Sequence, residues 1–171
     1  MQIQPIRPSD VPVLSQLAAQ TFTETFGHLY PPEDLGAFIT QSYDLDRLIA
    51  QVTDKAQFWR MIWRDDDAIA YVQCRPMALP HADARPEHEG EIHRLYIHSA
   101  HQGKGLGKRL MNEALNWLEG TYGPAPQWLG VWSGNMKAQT LYAAYGFVRV
   151  GAYKFPVGRT LDEEFILRRQ P

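Results

Sequence analysis

The stretch that decides the fold is EIHRLYIHSAHQGKGLGKRLMNEALNWLE, residues 91–119, followed by QWLGVWSGNMKAQTLYAAYGFVRVG, residues 127–151. Residues 91–98 are dense in Ile, Leu and Tyr, which predicts a strand. Leu106, Leu110, Ala114 and Leu118 recur at every fourth position, so the chain over 104–119 is expected to be an amphipathic helix that ends at Gly120 or Gly123. A second strand and a second helix follow, over 127–132 and 136–145.

The rest of the chain supplies short elements on either side of this block. Further strands are predicted at 2–6, 58–63, 68–74, 147–154 and 161–167, and further helices at about 9–27, 33–39 and 44–52, with a surface loop over 77–90. Strands that flank helices but also pair in hairpins indicate an α/β (mixed α+β) fold, in which a mixed sheet carries helices on both faces. No repeat or linker interrupts the pattern, so residues 1–171 are expected to form a single domain.

Composition narrows the class of protein. The formal net charge of −2 gives no support to a nucleic-acid partner or an anionic membrane surface. Cys74 is the only cysteine, so no intrachain disulfide is expected and a reducing compartment is favoured. The first residues do not have the pattern of a signal peptide, and no apolar run reaches membrane-spanning length. These features predict a cytoplasmic protein.

The turn QGKGLGK, residues 102–108, joins the first strand of the block to its helix. Glycines let backbone N–H groups approach a phosphate closely, and the helix N-terminus adds partial positive charge. Two better-known phosphate motifs do not fit. A Walker A loop needs Ser or Thr where Arg109 stands, and a dinucleotide fingerprint needs glycine where Lys108 stands. The turn therefore predicts either a phosphate cradle of another kind or a simple strand-to-helix turn.

The order of the two motifs resembles one known family. A strand, Gln-x-x-Gly-x-Gly at 102–107, an amphipathic helix, a second strand and then Asn135-x-x-Ala138-x-x-x-Tyr142-x-x-x-Gly146-Phe147 are similar to the GCN5-related N-acetyltransferase (GNAT) superfamily. The resemblance spans nearly the whole chain and implies a mostly antiparallel sheet of about seven strands, with an acetyl-CoA-binding core at about 91–151. A finer resemblance, to bacterial spermidine/spermine-type acetyltransferases, rests on segments such as 95–97, 128–132, 145–147 and 162–169.

The resemblance also implies where coenzyme A binds. The turn would hold its pyrophosphate, and the preceding strand would splay from its neighbour and offer backbone amides to the pantetheine arm and the thioester carbonyl. Asn135 is expected to cap its own helix, and its side chain can bond the pantetheine as well. The expected coenzyme-binding residues are Leu95, Tyr96, Ile97, Gln102, Gly103, Lys104, Gly105, Leu106, Gly107, Lys108, Asn135 and Ala138.

Acetyl transfer from a thioester to an amine requires a neutral amine and benefits from a proton donor for the departing thiolate. In the family, the tyrosine at the position of Tyr142 is the usual donor, although a tyrosine there also suits packing on the sheet. Glu91 and His93 share a strand face by the two-residue period, so either can take the amine proton, directly or through water. Relatives often use a glutamate on this strand, which favours Glu91.

The acceptor pocket is expected to use aromatic walls and acidic groups. Phe26, Tyr30 and Trp132 are the expected walls, with His93 beside them, and the acids at Glu24, Glu33, Asp34 and Asp162 suit a cationic amine. Asp65, Asp66 and Asp67 are read as a hairpin turn. Since the histidines show no zinc-type spacing, no metal is predicted.

The sequence thus predicts an acetyl-CoA-dependent N-acetyltransferase. The transfer is expected to be direct, to a primary amine of a small molecule, with polyamines among the candidates. One alternative acceptor is a peptide or protein, at its N-terminus or a lysine. An alternative of another class is a non-catalytic coenzyme A-binding sensor. A homodimer through an exposed last strand or through Trp59 and Trp63 is left open.

Overall fold

The computed structural model describes residues 1–171 and contains seven strands and five α-helices. In chain order they are β1 Gln2–Pro5, α1 Val11–Phe26, α2 Pro32–Ser42, α3 Leu45–Thr53, β2 Phe58–Arg64, β3 Asp67–Pro76, β4 Gly90–Ile97, α4 Leu106–Tyr122, β5 Gln127–Trp132, α5 Met136–Ala144, β6 Val148–Val157 and β7 Thr160–Arg169. No helix is long and apolar enough to cross a membrane.

All seven strands form one sheet in the order β1-β2-β3-β4-β5-β7-β6. Five of the neighbouring pairs are antiparallel, and only β4 and β5 run parallel. Three-residue turns of 3₁₀ helix precede α1, follow it and precede the glycine turn. The mixed, mostly antiparallel seven-stranded sheet predicted above is confirmed.

Helices cover both faces of this sheet because residues along the central strands alternate between them. Ala70, Val72 and Cys74 of β3 pack with α4, whereas Tyr71 packs with α1 and α3. Leu110 of α4 and Leu14 of α1 are completely buried in these two cores. Removing one such leucine side chain from water contributes about 2 kcal/mol to folding.

The parallel strands β4 and β5 stay together for only three residue pairs, from Gly90–Gln127 to Ile92–Leu129. Beyond these pairs β5 continues along β7, while β4 continues along β3. The β3–β4 register slips at this point: Cys74 pairs with Ile92 and Gln73 with Arg94, so His93 is an extra, bulged residue. Because a bulge bends its strand and increases the local twist, it accounts for the divergence of β4 from β5.

The predicted helix at 104–119 begins and ends later in the structure. Gly103 and Gly105 adopt positive φ angles of 75° and 77°, which a helical residue cannot have, so α4 starts at Leu106. Gly120 lies inside the helix, and Gly123, also at positive φ, follows its last residue.

Two expectations about surfaces need correction. The last strand, β7, lies between β5 and β6 rather than at an edge, and Trp59 is only 4% exposed, whereas Trp63 is partly exposed and a homodimer stays a prediction. The loop over 77–89 is likewise partly built into the fold. Met77 and Glu89 are buried, and Glu89 accepts a hydrogen bond from the Trp128 indole at 2.8 Å.

Candidate active site

A cavity of about 790 Å³ lies where β4 and β5 diverge. Its lining comes from all five helices, from β3 to β7 and from the glycine turn. The residues of the glycine turn share this lining with aromatic and acidic side chains. One cavity therefore brings together two chemically different groups of residues.

Nearly all of the predicted site residues line this cavity. Of the two catalytic, twelve coenzyme-binding and four acceptor-site residues named above, only Lys104 does not. The Nζ atom of Lys104 instead donates to the carbonyl of Ala100 at 3.0 Å. Common lining does not by itself assign a role, and the roles of the individual residues stay predictions.

The glycine turn has the geometry of an anion cradle. Gly105 precedes α4 with a left-handed backbone and provides no side-chain cap, so the first N–H groups of α4 have no partner within the helix. The side chain of Gln102 bonds the carbonyl of Ile97 at 3.2 Å and accepts from the Nζ atom of Lys137 at 2.8 Å. Lys108 adds a second cation to the lining. Free N–H groups and lysines together suit a phosphate ligand.

Gly107 is required for a different reason, since it lies where α4 meets its neighbours. A Cβ atom at this position would come within 3.2 Å of Leu141 in α5 and 3.5 Å of Ile97 in β4. The absent side chain lets α4 pack closely on the strand at the mouth of the cavity.

Tyr142 lies in α5 with its side chain 8% exposed. Its ring contacts Phe147 edge-on at 6.2 Å between centroids, so the packing role anticipated for it is present. It also lines the cavity. Burial, followed by the charge of Glu164, raises the pKa of Tyr142 to about 12. The phenol therefore keeps its proton at neutral pH and can donate it to a group in the cavity.

The carboxylate of Glu91 is almost fully engaged by the protein. One oxygen accepts from Nε of Arg75 at 2.7 Å and lies 3.4 Å from Nδ1 of His93, while the other accepts from the backbone N–H groups of Ala78 and Leu79. Burial acts to raise the pKa of Glu91, but the hydrogen bond with His93 and the charge of Arg75 outweigh it and lower that pKa overall. The hydrogen bonds from Ala78 and Leu79 anchor the 77–89 loop to β4.

We expect the interactions of the Glu91 carboxylate to contribute to the free energy of unfolding. A carboxylate with a lowered pKa stabilises the native state above its ordinary pKa near 4.5, and that contribution is lost as pH falls through the lowered value. Glu91→Gln should reduce the free energy of unfolding by about 2 kcal/mol at pH 7, and by less below pH 4.5, in urea denaturation. Glu87→Gln, in the exposed part of the same loop, is the control. If Glu91→Gln and the parent protein have the same free energy of unfolding, or differ by the same amount at every pH, the lowered pKa of Glu91 has been assigned wrongly.

His93 has surroundings that keep it neutral. Burial is the main cause that lowers its pKa to about 4, and Arg94 and Arg75 lower it further, against the opposing effect of Glu91. At neutral pH its imidazole is therefore an uncharged hydrogen-bonding group that lines the cavity, and a weak proton acceptor.

The acceptor end of the cavity has aromatic walls. Phe26 and Trp132 meet edge-on at 5.9 Å between ring centroids, and Phe38 and Phe155 meet in the same way. The Tyr30 hydroxyl donates to Asp162, which joins the chain after α1 to β7. Among the other acids proposed from the sequence, Glu24 lines the cavity, whereas Glu33 and Asp34 face Arg159 outside it.

The sequence did not single out Glu164, Tyr153 or Gly130, all of which line the cavity. The Tyr153 hydroxyl donates to Oε2 of Glu164 at 2.7 Å. A Cβ atom on Gly130 would come within 3.1 Å of both groups, so glycine leaves the room they occupy. The sequence signal that could have identified Glu164 is strand alternation, which places it on the same face of the last strand as Asp162.

Two remaining residues have clear structural positions. The Asn135 side chain accepts from the N–H of Ala138 at 3.1 Å, which confirms that it caps α5, and it also lines the cavity. Cys74 is completely buried in the α4 core, where burial raises the pKa of its thiol well above the usual value. It has neither the exposure nor the acidity of a nucleophile. No group of three or more His, Cys, Asp or Glu side chains is arranged to hold a metal ion.

Comparison with known proteins gives the fold and the family. The model of the "Acetyltransferase (GNAT) family" matches residues 14–147. An uncharacterized N-acetyltransferase of Lactobacillus delbrueckii subsp. lactis is 26% identical over 99% of this chain and 96% of its own. The N-alpha-acetyltransferase RimI of Mycobacterium tuberculosis is 38% identical over 66 residues, 39% of each chain.

A solved structure has the same fold over its full length. The PaiA N-acetyltransferase of Thermoplasma acidophilum, in complex with coenzyme A, superposes with a TM-score of 0.80 over 99% of this chain and 98% of that chain, at 18% identity. The family model covers well over half of the sequence. The chain belongs to the acetyltransferase (GNAT) family of enzymes.

Proposed function

We propose that the protein transfers an acetyl group from acetyl-CoA directly to the primary amine of a small molecule, with polyamines among the candidates. One observation carries the proposal: the lining of a single cavity contains a phosphate-type cradle, Tyr142 and a group of aromatic and acidic side chains. The cradle suits the donor and this aromatic and acidic group suits a cationic acceptor. A direct transfer needs both partners to meet at one point, and the cavity provides it.

The residues of the donor end fit coenzyme A. N–H groups at the start of α4, with Lys108 and Lys137, would hold the pyrophosphate. The backbone of β4 beyond Ile92 has no pairing with β5, so its edge is free to bond the pantetheine arm. The superposable Thermoplasma acidophilum structure contains coenzyme A, which supports this choice of donor. We take residues 91–151 as the coenzyme-binding core of a single domain.

When bound, acetyl-CoA supplies an activated acyl group with a thiolate leaving group, whose ordinary pKa is about 8.5. Tyr142 holds the proton that the departing sulfur requires. Glu91 is held by hydrogen bonds from Arg75 and two backbone N–H groups, and it stabilises β4 near the point where this strand diverges from β5.

The acceptor end favours a small cationic amine over a peptide. Phe26, Trp132 and Phe155 can cover an alkyl chain, and Glu164 provides negative charge. The hydrogen bond from Tyr30 to Asp162 connects the segment after α1 to β7. A peptide N-terminus is the second candidate acceptor, because of the local similarity to RimI.

A panel of amines tests the proposal. Thiol release from acetyl-CoA should be saturable with spermidine or another small amine, and at least tenfold slower in kcat/KM with short peptides or lysine side chains in peptides. Selective turnover of peptides would contradict the small-molecule assignment. Binding of coenzyme A by calorimetry, without turnover of any amine, would favour a sensor.

A further inference from the structure

Glu164 is the one carboxylate lining the cavity that has neither an arginine nor a histidine within ion-pair distance. It lies on β7 opposite Trp132 of β5 and Tyr153 of β6, so its side chain projects over the acceptor end. Glu91, by contrast, is neutralised by Arg75. The Glu164 side chain forms no ion pair, and its one hydrogen-bonding partner is the Tyr153 hydroxyl at 2.7 Å.

The surroundings of Glu164 make a site for one positive charge. The hydroxyl of Tyr153 occupies Oε2, which fixes the carboxylate and leaves Oε1 available. The missing side chain at Gly130 leaves the room that Oε2 of Glu164 and the Tyr153 hydroxyl occupy. Asp162, two residues earlier on the same strand face, adds a second negative charge. An unpaired carboxylate in a partly buried site favours a cation that completes its ion pair.

Glu164 also lines the cavity together with Tyr142. Its charge contributes to the raised pKa values of Tyr30, Tyr96, Tyr142 and Tyr153, so all four phenols lie within the range of that charge. It therefore shares the cavity with the aromatic walls and the proposed proton donor. A primary ammonium held by Glu164 would have its nitrogen within the same cavity as Tyr142.

We propose, on the basis of the function proposed above, that Glu164 is the catalytic residue that binds the acceptor ammonium and takes its proton, and that Tyr153 positions it. The R–NH₃⁺ group passes one proton to Glu164, and the freed lone pair forms the C–N bond at the acetyl carbon. The C–S bond breaks, its electrons leave with the sulfur, and Tyr142 gives that sulfur a proton. The second proton from nitrogen returns to the Tyr142 oxygen, and Glu164 releases its proton to solvent.

The proton-transfer chemistry of the cavity agrees with this assignment. Loss of surrounding water raises the pKa of Glu164, the hydrogen bond from Tyr153 opposes that rise, and Asp162 adds to it. A carboxylate with a raised pKa is a better proton acceptor than Glu91, whose pKa is lowered, or His93. Tyr153 and Asp162 act directly on the pKa of Glu164, and the charge of Glu164 acts in turn on Tyr30, Tyr96, Tyr142 and Tyr153.

The kinetic test uses Glu164→Gln, with Glu163→Gln as its matched control. Glu163 is the exposed neighbour on the opposite face of β7, so the control removes the same charge from the same strand. At pH 7, E164Q should lower kcat/KM for the acceptor amine about 100-fold, while acetyl-CoA affinity stays within twofold. The deficit should shrink as pH rises, because more of the amine is already neutral. E163Q should match the parent protein. A deficit that does not change with pH, or an E164Q rate within twofold of the parent, would overturn the proposal.

A second variant keeps the proposal testable if E164Q folds poorly. Tyr153→Phe removes only the hydrogen bond that positions Glu164, and it should reduce kcat/KM for the amine about tenfold. An unchanged KM and kcat for Y153F would contradict the positioning role.

A binding test is independent of turnover and therefore of the proposed function. The indole N–H signal of Trp132, assigned by a Trp132→Phe spectrum, is followed by NMR during titration with n-butylammonium, and with n-butanol as the uncharged control. The parent protein and E163Q should show saturable shifts with the cation and weaker ones with the alcohol, whereas E164Q should lose the difference. If the parent protein does not distinguish the cation from the alcohol, Glu164 is not a cation site, whatever the enzyme assay shows.

Discussion

Replacement of Gly105 by glutamate is expected to raise the dissociation constant of coenzyme A more than 100-fold. Gly105 has a φ of 77°, a conformation that costs a residue with a side chain about 1–2 kcal/mol. The new carboxylate would also stand at the phosphate cradle, where like charges about 4 Å apart repel by roughly 1 kcal/mol in water and about 4 kcal/mol near a protein surface. With the protein-surface value the two effects sum to about 5–6 kcal/mol, which exceeds the ~2.7 kcal/mol that corresponds to a 100-fold change.

Two further variants separate the causes. Gly105→Ala introduces the backbone strain without the charge and should weaken binding less. Gly120→Glu introduces the same charge on the exposed surface of α4, where a Cβ meets nothing within 4 Å, and should leave binding unchanged. Isothermal titration with coenzyme A measures all three. If G105E binds within a few-fold of the parent protein, the cradle has been assigned to the wrong residues.

Replacement of Tyr142 by phenylalanine is expected to lower kcat about 100-fold and to leave the affinity for acetyl-CoA unchanged. General acid catalysis typically contributes 10²- to 10⁴-fold, and a fair leaving group such as a thiolate favours the lower figure. Because the pKa of Tyr142 is about 12, the phenol stays protonated up to about pH 11 and introduces no loss of rate at ordinary assay pH. The deficit should therefore be the same from pH 6 to pH 9.

Tyr145→Phe is the matched control, three residues further along the chain and immediately after α5. The Tyr145 hydroxyl donates to Oδ1 of Asn112 at 2.9 Å and contacts the carbonyl of Lys108 at 3.2 Å, outside the cavity. Its loss should reduce stability by about 1 kcal/mol without changing kcat. Steady-state kinetics with a saturating amine tests both variants, and a Y142F rate equal to that of Y145F would remove Tyr142 from the mechanism.

Local patterns made the fold and the donor end of the site predictable. The period-four leucines of α4, the strand at 127–132 and the Asn135 cap each depend on residues that are close in sequence, and the structure has all three. The glycines at 103 and 105 indicated a turn, and both have positive φ. The predicted helix counted Lys104 and Gly105 as helical, although the first leucine of the apolar period, Leu106, is where α4 begins.

The acceptor end depends on contacts between distant parts of the chain, which local patterns do not encode. Glu164 reaches the cavity because β7 inserts between β5 and β6. Glu91 looked like a free base, but Arg75 and the 77–89 loop fold back to engage its carboxylate. The bulge at His93 is also invisible in the sequence, because it arises from the register of two antiparallel strands. These contacts exist only once the sheet has assembled.

The central claim, direct transfer between two substrates in one cavity, is tested most directly by intact-mass spectrometry after a single turnover with ¹³C-acetyl-CoA. Protein in excess is mixed with the labelled donor, first without amine and then with the best amine of the panel. Direct transfer predicts that no labelled protein forms in the absence of amine, and that stoichiometric ¹³C-acetyl amine and coenzyme A form after the amine is added. Labelled protein that forms and then decays as the amine is added would contradict direct transfer and require a covalent acyl-enzyme.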